Sequence, residues 1–167
     1  TGTGFYTTRN QDLVPNVPLY AGAQFLRRQY GGSLGGPIIK DKLHFFAAAE
    51  ANEANQPAFG PYIGQPQDAG QQLRVDQALV DRFNAALAAR GMDGGSGAQE
   101  FNKNPITNLV GLLGWTMSSK NRVVLRGIYN KSQGDDFSRS ASTFTLSSNR
   151  FKRDEWSSSI TAQLFSN

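Results

Sequence analysis

The side chains that most often carry chemistry are scarce in this chain. Its 167 residues include no cysteine and a single histidine, His44. A Ser/His/Asp triad needs a histidine held beside a nucleophile, and a metal site needs further ligands at fixed spacing. Nothing around His44 supplies these partners, so we interpret it as a polar residue at a strand end. The lack of cysteine excludes a disulfide framework, a zinc–cysteine site and a thiol nucleophile.

Two further motifs could suggest a binding site. A glycine cluster occupies residues 31–36, but a phosphate loop also requires a Gly-Lys step, and the chain contains none. The pair Asp135 and Asp136 and the mixed run 152–155 lack the ligand spacing of a calcium loop. Glycine in a strand more simply permits a sharp bend or a close approach of two backbones. We therefore predict no catalytic residue, no cofactor and no metal site, and we expect that the chain is not an enzyme.

Composition narrows the class further. Seventeen Lys and Arg against thirteen Asp and Glu give a net charge of +4, which is mild and scattered along the chain. A nucleic-acid partner is therefore not expected. No run of about 18 apolar residues exists, so no membrane-spanning helix is expected.

Apolar residues recur mainly at every second position, which is typical of strands with one apolar face. In 107–117, the residues Leu109, Leu113 and Trp115 point to one side and Asn108 and Thr116 to the other. A short turn at 118–121 then leads into a second alternating segment, so the pair predicts an antiparallel hairpin. The predicted strands lie near residues 1–9, 25–36, 43–52, 107–117, 122–132 and 154–166. The predicted fold class is all-β, an antiparallel meander of about six strands.

The lengths of the connections alternate between long and short. Residues 10–24, 53–106 and 133–153 form long connections, whereas 37–42 and 118–121 form short ones. Transmembrane β-barrels have short turns on the periplasmic side and long loops outside, and their strands need only about 9–11 residues to cross the bilayer. This rhythm indicates part of a transmembrane barrel. A soluble sandwich gives no reason for it.

The alternation assigns side chains to the two faces of such a wall. Charged and polar residues on one face are predicted to face the lumen: Glu50, Thr116, Arg122, Arg126 and Gln163. Apolar and aromatic residues on the other face are predicted to face lipid or to form aromatic girdles at the membrane interfaces: Leu113, Trp115, Leu125, Tyr129, Trp156 and Ile160.

One helical pattern lies inside the longest connection. Val75, Leu79, Phe83 and Leu87 recur every four residues and predict a helix over 71–90. Asp68 can cap its start, and Gly91 can adopt a left-handed stop. We expect this helix to lie in an extracellular loop and to pack its apolar stripe on neighbouring loop residues.

The segment Arg28–Phe46, RQYGGSLGGPIIKDKLHFF, resembles a hallmark stretch of TonB-dependent outer-membrane receptors of the Oar-like type. In that family the stretch forms a hairpin soon after the plug domain, and Glu50 matches an acidic position that follows it. Leu109–Asn130 resembles the next barrel hairpin, with its tryptophan and its Arg-x-x-x-Arg strand. Ala47–Ala49 depart from the family, which has larger residues there.

The resemblance implies a transporter with a plug inside a barrel of about 22 strands. It implies energised uptake of a large or scarce nutrient through the TonB complex. Residues 1–167 are then expected to be a fragment of the barrel domain in the bacterial outer membrane, without a plug. The implied partners are outer-membrane lipid, the rest of the barrel with its plug, the TonB complex acting through that plug, and an unknown substrate.

One alternative remains open from the sequence. A secreted, soluble β-rich module could use the long loops to bind a glycan or a protein. A continuous apolar band across neighbouring strands favours the barrel, whereas an apolar face buried by a second sheet favours the soluble module.

Overall fold

The computed structural model describes residues 1–13, 25–65, 73–140 and 142–166. All strands in this part of the chain join one antiparallel sheet. The strands are β1 (Gly2–Asn10), β2 (Leu26–Ile39), β3 (Leu43–Pro57), β4 (Phe101–Lys103), β5 (Ile106–Thr116), β6 (Asn121–Asp136) and β7 (Phe151–Ser166). The helix α1 covers Gln77–Ala88, and short 3-10 turns cover Gln11–Leu13 and Ser147–Asn149.

The six long strands form a meander in the order β1-β2-β3-β5-β6-β7. The three-residue strand β4 pairs with the end of β3, at Asn55–Pro57. Every neighbouring pair is antiparallel, as expected where consecutive strands are joined by hairpins. The predicted all-β meander with one loop helix is therefore confirmed, with β4 as a seventh strand.

Both short turns have a local chemical cause. Between β2 and β3, Asp41 adopts a positive φ of 60°, a conformation that aspartate tolerates better than most residues. The amide of Lys42 donates to the carbonyl of Ile39 at 3.1 Å. Between β5 and β6, the hydroxyl of Ser118 accepts from the amide of Asn121 at 3.1 Å and closes the turn.

The first turn is shorter than predicted. Pro37 does not end β2, because the strand continues to Ile39 and only a register shift separates Pro37 from Ile39. Proline cannot donate to the ladder, so the pairing is irregular there, but it resumes when Ile39 pairs with Leu43. The turn is therefore 40–42 rather than 37–42.

Three strands run further toward the long connections than predicted. β3 continues to Pro57, β6 continues to Asp136, and β7 begins at Phe151. Their polar ends show no alternation, yet each residue of 132–136 has a partner in 151–155. Hydrogen bonds across the hairpin extend the ladder where the hydrophobic pattern has already stopped.

The sheet buries little on either face, and the packed core lies among the long connections. The buried apolar residues of the described part are Val80, Val124 and Phe137. Two of these three belong to the connections, where Pro61 and Arg139 are also buried. We call residues 58–65, 73–105, 137–140 and 142–150 the loop cap, since they fold together at one end of the sheet.

Candidate functional site

The strand register defines which side chains share a face of the sheet. Residues directly opposite one another in an antiparallel ladder point to the same face. One such row crosses four strands, from Phe45 to Leu113, Leu125 and Ala162. The face that contains this row is called the apolar face, and the other is called the polar face.

The apolar face contains all six residues predicted to face lipid or to form girdles. Leu113 lies opposite Leu125, and Ile160 lies opposite Gly127 in the adjacent row. Trp115, Tyr129 and Trp156 belong to the same face by the two-residue period. These side chains stand out from the sheet, with Ile160 82% and Trp156 72% exposed. In the described strands the register thus brings together an exposed apolar band.

Aromatic residues mark two levels of this band. Trp115 lies next to the short turn at 117–120, whereas Tyr129 and Trp156 lie toward the loop cap. Tyr6 and Tyr30 lie directly opposite each other at the latter level. Trp156 and Leu164, at the two ends of the band on β7, are separated by about 27 Å at roughly 3.4 Å per residue.

Charges on the apolar face of the described strands occur only at its loop-cap end. The register places seven residues there: Arg28, Glu53, Lys103, Lys131, Asp135, Lys152 and Asp154. Polar contacts join some of them to neighbours, as where Tyr30 Oη donates to Glu53 at 3.2 Å. The uncharged part of the face extends from the Tyr129 row to the short turns.

The polar face contains all five residues predicted to face a lumen. Thr116 lies opposite Arg122, and Arg126 lies opposite Thr161. Gln163 lies opposite Val124, between these two rows. Glu50 lies opposite Gly31 and Asn108, several rows nearer the loop cap. The five residues share a face, but they do not converge on one point.

Hydrogen bonds connect neighbouring strands across the polar face. Gln29 Nε2 donates to Glu50 Oε1 at 3.1 Å. The hydroxyls of Thr3 and Ser33 are 2.8 Å apart, and Asn130 donates to Ser157 at 3.3 Å. The face therefore presents a hydrogen-bonding surface, which contrasts with the apolar band behind it.

A buried arginine organises the loop cap. Arg139 is 4% exposed, and its guanidinium lies 4.8 Å from the ring centroids of both Phe137 and Phe144. It donates to the carbonyls of Thr145 at 2.7 Å, Ala98 at 2.7 Å and Ser96 at 3.0 Å. Burial lowers the pKa of the Arg139 guanidinium, and the carboxylate of Glu100 acts in the opposite direction.

A second arginine joins the loop cap to the sheet. Arg150 forms an ion pair with Glu100 and contacts Asp135 Oδ2 at 3.3 Å, so it joins residues before β4 and at the end of β6. Neither Arg139 nor Arg150 is among the residues predicted from the sequence. Their partners are mostly distant in sequence, up to 50 residues away for Glu100, so no local spacing could reveal them.

The helix is shorter than predicted and buries a different face. Its described N-cap is Asp76, which accepts from the amide of Leu79 at 2.8 Å; the predicted cap Asp68 and residues 71 and 72 lie outside the described residues. The buried side contains Val80, which is 3% exposed, rather than Leu79. The stop is as predicted, since Gly91 has a φ of 71° and Met92 donates to the carbonyl of Leu87.

The predicted apolar stripe is therefore only partly covered. Leu79 is 47% and Phe83 is 52% exposed. Phe83 and Leu87 line an open cleft of about 490 Å³, opposite Phe144 and Leu146. On the inner side of the helix, Asn84 Nδ2 donates to the carbonyl of Gly95 at 2.9 Å and attaches α1 to the rest of the loop cap.

The described residues contain no group of three or more His, Asp or Glu that could hold a metal ion. His44 lies on β3 opposite Pro37 and Gly114, apart from any carboxylate partner in the register. No helix among the described residues is long and apolar enough to cross a membrane.

Comparison with known proteins gives one match. A family model described as an outer membrane beta barrel domain matches residues 1–157. No curated protein and no solved structure matches the chain significantly. The family match covers nearly all of the meander whose apolar band and short turns are described above, and it gives the chain the role of a barrel wall. The chain belongs to the outer membrane beta barrel domain family, and its location is the bacterial outer membrane.

Proposed function

We propose that this chain forms part of the barrel of a TonB-dependent transporter of the Oar-like type, which takes up a large or scarce nutrient with energy from the inner membrane. In this proposal the chain supplies pore wall, pore lining and outer loops, and performs no catalysis. The observation that carries the proposal is the hairpin of β2 and β3. Its sequence, from Arg28 to Glu50, resembles the hallmark stretch of those receptors and folds as one antiparallel pair.

The proposal assigns the apolar face to lipid and the polar face to the lumen. A band of exposed Leu, Ile and Trp side chains is costly in water and favourable in a bilayer. The band is free of charge between its aromatic levels, as expected for an outer wall. The hydrogen-bonding residues of the polar face, including Glu50 and Arg126, suit a water-filled interior.

The alternation of connections gives the proposed orientation. The short turns 40–42 and 117–120 lie on the periplasmic side, and the loop cap lies outside the cell. There the loop cap provides a folded surface at the mouth of the pore. The secreted soluble module is not retained as an alternative, because the family of this chain is located in the outer membrane.

The partners follow from the same assignment. β1 and β7 each pair on one side only within the described sheet, so further strands of the same barrel would pair with their free edges. A plug domain would occupy the lumen and connect the barrel to the TonB complex. Candidate substrates are metal chelates, glycans and peptides, and no nucleic acid is expected.

The proposal is tested by energy dependence. Cells with and without the complete protein would be compared for uptake of labelled metal chelates, oligosaccharides and peptides, and each comparison would be repeated without TonB. We expect at least one solute whose entry requires both the protein and TonB. Entry that requires the protein but continues unchanged without TonB would show a passive pore and overturn the proposal.

A further inference from the structure

Two arginines lie side by side on the polar face. Arg9 of β1 and Arg27 of β2 are direct partners in the ladder, at the loop-cap end of both strands. Directly opposite residues have Cβ atoms about 4.5–5.5 Å apart, and like charges in this arrangement destabilise a strand pair. Both side chains are exposed. The arrangement therefore has an electrostatic cost in this part of the sheet.

Nothing among the described residues neutralises this pair. No carboxylate there comes within ion-pair distance of Arg9 or Arg27, since the described ion pairs involve Arg150 and Arg153 alone. The nearest acids in sequence and register have other partners. Asp12 accepts from Asn10 at 3.1 Å, and Glu50 accepts from Gln29 at 3.1 Å. The connection between the two strands offers no acid either, because residues 14–24 include no Asp or Glu.

The neighbouring arginine has an acidic residue beside it in the register. Arg28 points to the apolar face, and its direct partner on β3 is Glu53. Arg27 instead has Ala54 as its partner on β3 and Arg9 on β1. Arg27 and Arg28 thus differ in the face on which they lie and in whether the register provides an opposite charge.

The pair gives the strand residues of the polar face a net positive charge. The charged strand residues on this face are five cations, Arg9, Arg27, Arg122, Arg126 and Arg153, and three anions, Glu50, Asp136 and Glu155. Arg153 pairs with Glu155 at 3.1 Å, which leaves the other four arginines without an ion pair in the described sheet. A local excess of one sign of charge, as at Arg9 and Arg27, attracts the opposite sign from solution.

We propose that Arg9 and Arg27 form an anion-binding site that takes a carboxylate or phosphate group of the solute entering the barrel. The inference rests on the proposed assignment of the polar face to the lumen. Guanidinium groups bind both kinds of anion through two parallel hydrogen bonds, and two guanidiniums on adjacent strands can hold one anion between them. Arg126 and Arg122 lie further along the same face, so an anion released from the pair meets further positive charge toward the periplasmic end.

The test uses the complete protein, purified in detergent, and measures its thermal unfolding midpoint. Citrate and inorganic phosphate are the two probes, each titrated against sodium chloride at matched ionic strength to remove screening effects. The variants are Arg27→Gln, Arg9→Gln and the control Arg28→Gln, which removes the same charge from the opposite face. Two variants on different strands are used because either one could impair folding.

We expect a saturable rise of the midpoint with citrate or phosphate for the unchanged protein. The concentration at half-effect should increase about tenfold or more in Arg27→Gln and in Arg9→Gln, and should stay unchanged in Arg28→Gln. A response limited to citrate identifies a carboxylate as the ligand group, and one limited to phosphate identifies a phosphate.

Two results would overturn the site. One is a titration that is the same in all four proteins, or that shows no saturable rise. In the other, the unchanged protein shows no response to either anion, and Arg27→Gln has a lower unfolding midpoint in the absence of any probe. That combination would mean that a carboxylate elsewhere in the barrel already occupies the pair. The assay involves neither TonB nor transport, so a negative result here does not contradict TonB-dependent uptake. Evidence for a passive pore would likewise not contradict the anion site.

Discussion

The ring of Phe5 on β1 lies over Gly31, its direct partner on β2. A Cβ atom built on Gly31 would lie 3.0 Å from Cε1 of Phe5 and 2.5 Å from the carbonyl oxygen of Ala49. The glycine thus makes room for an aromatic ring on one side and for the backbone of β3 on the other. Coverage of a strand glycine by a cross-strand aromatic ring is a known device for pinning register.

We expect Gly31→Ala to destabilise the sheet, by roughly 1–3 kcal/mol for an overpacked site, because the backbone at Ala49 cannot move without breaking its own ladder. Gly36→Ala is the matched control, since a Cβ there meets nothing within 4 Å. The measurement is the urea dependence of unfolding of the complete protein in lipid vesicles. Equal midpoints for the two variants would show that the glycine cluster has no packing role.

Arg139 offers a test of the loop cap. We expect Arg139→Ala to unfold the cap locally, since three backbone carbonyls lose a charged donor and two aromatic rings lose their partner. Hydrogen bonds to charged groups contribute about 1.5–3 kcal/mol each, so the loss should exceed the stability of a loop. Limited proteolysis with proteinase K should cut residues 89–150 faster, with membrane insertion retained. The control variant is Arg82→Ala, on the exposed side of α1. Cleavage of this variant as fast as that of Arg139→Ala would contradict the role of Arg139 in organising the loop cap.

The burial of α1 is tested by two adjacent residues. Val80 is 3% exposed and Leu79 is 47% exposed. An aspartate at position 80 would be buried without a partner, at a cost of several kcal/mol, whereas one at position 79 would remain in water. Hydrogen exchange of the amides of 77–88 should therefore accelerate in Val80→Asp and stay nearly unchanged in Leu79→Asp. The reverse order would place the helix on its other face.

The proposed faces predict different tolerance of charge on β5. Arginine in place of Leu113 would enter the lipid, at a cost of roughly 2–4 kcal/mol near mid-bilayer, whereas arginine in place of Thr116 would face the lumen and be mild. The folded fraction of the complete protein in outer-membrane preparations measures both effects. Similar losses in Leu113→Arg and Thr116→Arg are incompatible with the assignment.

Most of the fold can be predicted from the sequence, because one pattern, the alternation of side chains between two faces, dominates it. Alternation along 107–117 and the turn at 118–121 predicted the β5–β6 hairpin, and the observed pairing of Leu113 with Leu125 follows. The strand ends beyond Asn52 and Ser132 were not predicted, because polar residues carry no face preference and are held by ladder hydrogen bonds alone. The strand β4 has only three residues, which are too few for alternation to indicate a strand.

Only part of the loop cap can be predicted from the sequence. The stop of α1 depends on Gly91, a local signal that the sequence shows directly. The buried face depends on what lies beneath the helix, so the stripe through Leu79 and Phe83 does not indicate that Val80 is the buried residue. The carbonyls around Arg139 come from 96–98 and 145, and a backbone acceptor has no sequence signature. Tertiary contacts of this kind cannot be predicted from the spacing of residues in the sequence.

Which face of the wall contacts lipid is tested most directly on one strand, β6. Nitroxide labels placed one at a time at residues 123–129 of β6, in the complete protein in lipid bilayers, report contact with lipid through their accessibility to oxygen. We expect high accessibility at Val123, Leu125, Gly127 and Tyr129, and low accessibility at Val124, Arg126 and Ile128, with a period of two residues. A flat profile, or maxima at Val124, Arg126 and Ile128, would contradict the central claim.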